Sequence, residues 1–224
     1  MPHPLTYQRN PREKSGNMAL EIERKYLDAD HDALRRRLQA LGAAFLGRWF
    51  ESNEVYDDPA RSLKAEGTLL RLREKQGRHV LTLKRRPEAP SPAGVKVYEE
   101  HETEVADGAS LRAILSGLGY APAFAYEKVR EKWKLNGCAL CLDALPFGSF
   151  LEIEGPLEGI EACGQALALA PESASTATYH ELNRLYRERA GLPPEESFTF
   201  SPGVAEALRE ELARLPLDSR AEGA

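Results

Sequence analysis

A two-residue alternation of apolar and charged side chains runs through this chain, segment after segment. It begins in Leu20-Glu21-Ile22-Glu23-Arg24-Lys25-Tyr26, where an extended backbone puts Glu21, Glu23 and Lys25 on one side and Leu20, Ile22 and Tyr26 on the other. It returns with Arg71 and Arg73 beside Leu70 and Leu72, and with Thr82, Lys84 and Arg86 after Leu81 and Leu83. Glu100, Glu102 and Glu104 follow, then Lys128, Arg130 and Lys132 around Val129, Asp143 beside Leu142, and Glu152 and Glu154 around Ile153. Period two demands strands. A single strand of this kind belongs to any sheet with one solvated face. Here the charge is also sorted by strand, some wholly basic and others wholly acidic, whereas solubilising charge mixes signs.

The rest of the chain supplies turns and covers. Strands are expected over 20–27, 45–57, 68–75, 79–86, 95–105, 126–135, 138–145 and 150–154. Gln76-Gly77-Arg78 and Asn136-Gly137 read as hairpin turns, the second strongly so. Helices are expected over 33–41, capped by Asp30 or Asp28, and over 111–118, 156–169, 178–190 and 204–215. A short turn or helix is expected over 59–66, and the proline-rich loop 87–94 reads as the mobile segment. Strands joined by hairpins or single short helices, without regular βαβ alternation, indicate an α+β, mainly β fold. We expect an eight-stranded antiparallel closed barrel with helices packed outside. The expected organisation is a disordered N-terminal extension over 1–18, a barrel domain over 19–190, and a tail over 191–224 with one amphipathic helix.

Several function classes recede on composition. A net charge of −5 argues against a dedicated nucleic-acid binder, whose footprint is basic. No apolar run reaches the ~18 residues of a membrane span, and the N-terminus lacks the apolar core of a signal peptide, so the expected location is cytoplasmic. Cys138, Cys141 and Cys163 make no disulfide framework. Cys138 and Cys141 have zinc-ligand spacing but no accompanying pair, and read as packing residues. His31, His79 and His101 read as surface groups, and Tyr179 rather than His180 as the residue nearing the barrel mouth.

If helices cover the apolar faces from outside, the charged faces point inward. A dry interior holds that many ions only at several kcal/mol each unless they are well compensated. A water-filled tunnel that binds a polyanion and a hard divalent cation resolves the conflict, because Mg²⁺ and Mn²⁺ prefer oxygen ligands and join carboxylates to phosphates. A triphosphate suits such a site.

These motifs resemble the CYTH proteins of the triphosphate tunnel metalloenzyme superfamily. The likeness rests on Glu21-x-Glu23-x-Lys25 followed in order by Leu70-Arg71-Leu72-Arg73, Leu81-Thr82-Leu83-Lys84, Glu100-x-Glu102-x-Glu104, Lys128-Val129-Arg130, Asp143 and Glu152-Ile153-Glu154. Within the superfamily, the stretch 118–130 and Tyr179-His180-Glu181-Leu182 are similar to the class IV adenylate cyclase branch, with Thr178 where that branch has Ser. The resemblance implies metal binding by Glu21, Glu23, Glu152 and Glu154, with Asp143 as a further ligand, and Mg²⁺ or Mn²⁺ as the cofactor. It implies that Lys25, Arg71, Arg73, Lys84, Lys128 and Arg130 hold phosphate oxygens, and that Glu21, Glu23 and Lys25 form the catalytic centre. Lys25 reads as a phosphate ligand rather than a base, since adjacent carboxylates raise its pKa. Arg86, Lys132 and Glu100 read as rim residues. Glu102 and Glu104 either bind a second metal or neutralise arginines. The implied activity is conversion of ATP to cyclic AMP and pyrophosphate. The alternatives are hydrolysis of inorganic tripolyphosphate or thiamine triphosphate, and a non-catalytic nucleotide- or polyphosphate-binding module. The expected partner is a nucleotide or inorganic triphosphate, and a homodimer stays open.

Overall fold

The computed structural model describes residues 19–87 and 94–215, with side chains from residue 22 onward. The N-terminal extension, most of the proline-rich loop and the chain beyond 215 lie outside the described residues, as does the side chain of Glu21.

The elements are β1 (Ala19–Tyr26), α1 (His31–Ala40), β2 (Ala44–Asp57), α2 (Ser62–Ala65), β3 (Thr68–Lys75), β4 (Arg78–Arg85), β5 (Lys96–Val105), α3 (Gly108–Gly117), β6 (Ala121–Leu135), β7 (Cys138–Leu145) and β8 (Gly148–Glu154). They continue with α4 (Leu157–Ala166), a two-residue β9 (Ala174–Ser175), α5 (Tyr179–Arg189) and α6 (Pro202–Ala213). The strand order is β5-β4-β3-β2-β6-β7-β8-β1, and β1 pairs back with β5. The sheet is therefore a closed eight-stranded antiparallel barrel, with β9 added beside β1.

Local chemistry accounts for the turns. Gln76 and Gly77 both have positive φ, as do Asn136 and Gly137, which is the two-residue turn that matches strand twist. Arg78 therefore opens β4 instead of sitting in the turn. β6 starts at Ala121, earlier than periodicity suggests, because it pairs with β2 as far as Asp57. Asp30 caps α1, its carboxylate accepting from the Ala33 amide, and Asp107 caps α3. Thr178 and Glu181 form a reciprocal capping box on α5.

The apolar strand faces turn outward under the helices. Leu34 and Leu38 of α1 and Ile160, Cys163 and Leu167 on and after α4 bury against Leu140, Leu142, Leu151 and Ile153 of β7 and β8. Leu115 of α3 covers Tyr56 and Leu72. A third cluster joins Val55, Tyr126, Leu145, Phe150, Tyr179 and Phe198. Beyond α5 the chain returns to the barrel: the Phe198 amide donates to the Ala125 carbonyl at 3.1 Å, and the Glu127 amide donates to the Phe198 carbonyl at 3.1 Å. α6 then rests on β2, with Arg209 over the Phe50 ring at 4.0 Å and 3.1 Å from Glu127. No helix among the described residues is long and apolar enough to cross a membrane.

Leu38 is fully buried between α1 and the barrel wall. Leu38→Ala is expected to lower the unfolding free energy by about 2–5 kcal/mol, read from urea denaturation.

Candidate functional site

The inner faces of the strands enclose a cavity of about 550 Å³. Glu23 and Lys25 line it from β1, Arg71 and Arg73 from β3, Lys84 from β4, Lys128 and Arg130 from β6, and Glu152 and Glu154 from β8. Strand parity puts these side chains inside, and register puts them opposite one another: Glu23 faces Glu154, Lys25 faces Glu152, and Arg130 faces Asp143.

Carboxylate oxygens of Glu23, Glu152 and Glu154 lie within 4.8 Å of one another. Three hard oxygen donors at this spacing fit Mg²⁺ or Mn²⁺. Basic side chains hold two of these carboxylates: Lys25 is 2.6 Å from Glu152, Arg130 is 2.6 Å from Glu152, and Lys96 is 3.1 Å from Glu23. Burial pushes the Glu152 carboxyl up, but Lys25, Arg130 and Lys128 bring it well below the usual carboxylate range. Burial alone lowers Lys25, yet Glu152 and Glu23 raise it above its ordinary value, so the ammonium stays charged. The Lys25 ammonium also sits 4.2 Å from the Tyr179 ring centre.

Asp143 stands outside this carboxylate group. Its oxygens accept from Lys128 at 2.9 Å, from Arg130 at 2.7 and 2.6 Å, and from the Tyr179 hydroxyl at 2.8 Å. It is fully buried, and these four contacts supply the donors that a buried carboxylate needs. It shares Arg130 with Glu152, but its oxygens are not part of the cluster formed by the other three. Arg71 donates to the Tyr126 hydroxyl at 3.0 Å and to Thr82 at 3.1 Å, and lies 3.4 Å from Glu102. Glu102 thereby neutralises a tunnel arginine, while Glu104 is exposed and 3.9 Å from Arg78. Arg86 and Glu100, expected at the rim, line the cavity; Lys132 is not among its lining residues.

The family-model comparison matches the CYTH domain over residues 19–180. The chain belongs to the CYTH family. The family is metal-dependent, and its members are typically enzymes that process triphosphates. A Methanocaldococcus jannaschii protein named "Putative adenylate cyclase MJ0240" is 26% identical over 143 residues, which is 63% of this chain and 79% of the relative. The structure of a Vibrio parahaemolyticus protein described as a "putative adenylate cyclase" has a TM-score of 0.64 at 23% identity, covering 73% of this chain and 97% of that one. The Hippeastrum protein HpAC1, described as having a dominant triphosphatase activity, has a TM-score of 0.55 at 21% identity, covering 79% and 98%. At these identities the two structural likenesses show the shared fold.

The CYTH tunnel contains charged groups that the motifs did not point to. Glu51 of β2 is fully buried, accepts from the Trp49 indole at 2.9 Å, and lies 3.6 Å from both Arg73 and Lys128. Burial would raise its carboxyl; Arg73, Lys128 and Arg130 hold it well below its ordinary value. One of its oxygens has no hydrogen-bond partner. Lys96 at the start of β5 reaches the carboxylate group, in parity with Glu100 and Glu102. The signal for both was the inward parity of their strands, since Glu51 faces Lys75 and Lys128, and Lys96 faces Glu23. All three cysteines are buried; Cys138 and Cys163 pack in the apolar cluster under α4 as expected, whereas Cys141 faces Glu152 across the β7–β8 pair.

His180 lines the cavity as well as Tyr179, edge-on to Phe124 at 4.4 Å. Burial pushes its imidazole down to about 4 from an ordinary 6.5. Between these values the unfolded chain takes up a proton that the folded chain refuses, so stability falls as pH drops from 6.5 toward 4. His180→Phe is expected to flatten this part of the pH-stability profile, measured by denaturant melts at each pH.

Proposed function

We propose that the protein is a divalent-metal-dependent enzyme acting on a triphosphate, and that its reaction is of the class IV cyclase type, converting ATP to cyclic AMP and pyrophosphate. The observation that carries the first part is the meeting, in one cavity, of three clustered carboxylates with lysines and arginines from five different strands. A polyanion with a bound cation matches both halves of that lining. The cyclase reading draws on the name of the Methanocaldococcus relative.

Glu23, Glu152 and Glu154 would hold the metal, which supplies charge neutralisation at the phosphates when bound. Glu21, two positions before Glu23 in the Glu-x-Glu-x-Lys motif, joins them as a further candidate. Asp143 takes a different role from the ligand expected of it: it orients Lys128, Arg130 and the Tyr179 hydroxyl. Arg71, Arg73 and Arg130 suit forked contacts to phosphate oxygens, while Lys25, Lys84 and Lys128 act as point charges. Lys25 stays protonated and serves as a phosphate ligand. The lining thus fixes the triphosphate in line and stabilises the charge that develops during phosphoryl or nucleotidyl transfer. In a cyclase the ribose 3′-hydroxyl attacks the α-phosphorus. A second reading, attack of water on the terminal phosphorus, draws on the triphosphatase activity described for the Hippeastrum protein.

Product analysis separates the two. Purified protein is given ATP, tripolyphosphate and thiamine triphosphate with Mg²⁺ or Mn²⁺; cyclic AMP with pyrophosphate supports the cyclase, orthophosphate the hydrolase, and binding without turnover a non-catalytic module. Glu23→Gln and Glu154→Gln are each expected to lower metal-dependent turnover by about 10²-fold or more while circular dichroism is unchanged. Full activity in both variants contradicts the metal assignment.

A further inference from the structure

We propose that Glu196 is a specificity-determining residue. It neutralises Arg61 and Lys64 beside α2 at one mouth of the cavity, so that this side of the mouth takes the uncharged organic end of a triphosphate in preference to a fourth phosphate. The proposal rests on the triphosphate reading above and narrows the substrate class.

Glu196 lies beyond the residues that the CYTH model matches, on the strap that leads from α5 to α6. The strap is held on both sides of it. The Asn183 amide donates to the Glu195 carbonyl at 2.9 Å, the Ala125 amide donates to the Ser197 hydroxyl at 3.2 Å, and Phe198 is bonded to β6. The side chain is thereby presented to the barrel end where β2 finishes and β3 begins. There it lies 2.6 Å from Arg61 and pairs with Lys64. The two cations are themselves fixed, because the Asp57 carboxylate accepts from the Leu63 and Lys64 amides at 3.0 Å each and sets the turn of α2. Burial pushes the Glu196 carboxyl up, but Lys64 and Arg61 hold it below its ordinary value, so it remains charged at neutral pH.

The α2 side of this mouth is apolar apart from that pair, whereas Lys84 and Arg86 line the cavity from the β4 side. Val55, Leu69, Phe124 and His180 line the α2 side beside Lys64 and Glu196. The His180 ring is packed edge-on against Phe124 and Phe198, and its Nε2 is buried without a hydrogen-bond partner. An uncharged ring with polar edges suits such a wall: apolar contact on its face, one hydrogen bond to a neutral imidazole. A further phosphate set against α2 would need cations there, and the two beside that wall, Arg61 and Lys64, are already paired. Glu196 and Lys64 are part-exposed, so the pairing is a competition and not a seal. The effect on affinity should accordingly be several-fold.

The strap has another reading, in which Glu196 only pins it to α2. Removing its charge would then change stability and leave ligand preference alone. The test is calorimetric binding of tripolyphosphate, tetrapolyphosphate and ATP with saturating Mn²⁺. E196Q is expected to raise the preference for tetrapolyphosphate over tripolyphosphate by about fivefold, the size of one unit charge at ~4 Å in water. Adding R61A and K64A to E196Q is expected to remove that gain. An unchanged ratio in folded E196Q, or a gain that survives loss of both cations, overturns the proposal. If E196Q loses its circular dichroism signal, R61A/K64A carries the test: the ratio should stay within about twofold of wild type, and a larger fall overturns it. Wild-type protein that binds neither ATP nor tripolyphosphate overturns the triphosphate reading as well.

Discussion

Closing an antiparallel sheet on itself forces every strand to give one face to the inside, and in this chain those faces carry the charge. An isolated ion in such a space would cost several kcal/mol. The barrel stands because its interior charges are arranged as partners across strands. Asp143 of β7 holds Lys128 and Arg130 of β6 and the hydroxyl of Tyr179; Glu152 of β8 holds Lys25 of β1; Glu51 of β2 lies between Arg73 and Lys128. These pairs span neighbouring strands all around the cavity, so the compensation depends on the closed register and the register on the compensation.

The same arrangement prepares the cavity for a guest. Lys25, Lys96 and Arg130 hold the oxygens of Glu23 and Glu152 close together. A divalent cation entering among these carboxylates would share them with the ammonium groups, and a triphosphate would offer those ammonium groups new oxygens. The exchange keeps charge nearly balanced at each stage, which is how a buried ionic site can accept a highly charged ligand without a large desolvation cost. Residues deeper in the network, Asp143 and Glu51 above all, stay bonded to the basic side chains and preserve their aim.

Much of this was legible in the residues. Two-residue alternation gave the strands, and sorting of charge by strand indicated that their polar faces meet inside. The hairpin at Asn136-Gly137 and the caps at Asp30, Asp107 and Thr178 follow from local chemistry, so they could be read locally. What could not be read depends on which strands become neighbours. Asp143 shares the acidic character and inward parity of Glu152, and only the pairing of β7 with β6 reveals that it faces Arg130. Glu51 shares its side of β2 with the uncharged Asn53 and Val55, and Lys96 carries the charge opposite to the glutamate run later in β5, so no run of like charge marks either. His180 and Glu196 reach the cavity from elements that follow the barrel strands, a position that strand periodicity does not describe.

The central claim is that the carboxylates of Glu23, Glu152 and Glu154 form a metal seat inside a cavity lined for a triphosphate. Crystals soaked in Mn²⁺ with tripolyphosphate and measured for anomalous scattering test it most directly. The account predicts a manganese peak among those three carboxylates, with phosphate density against Lys25, Arg71 and Arg73. Absence of any peak there, with Lys25 still on Glu152 and Lys96 still on Glu23, would contradict it.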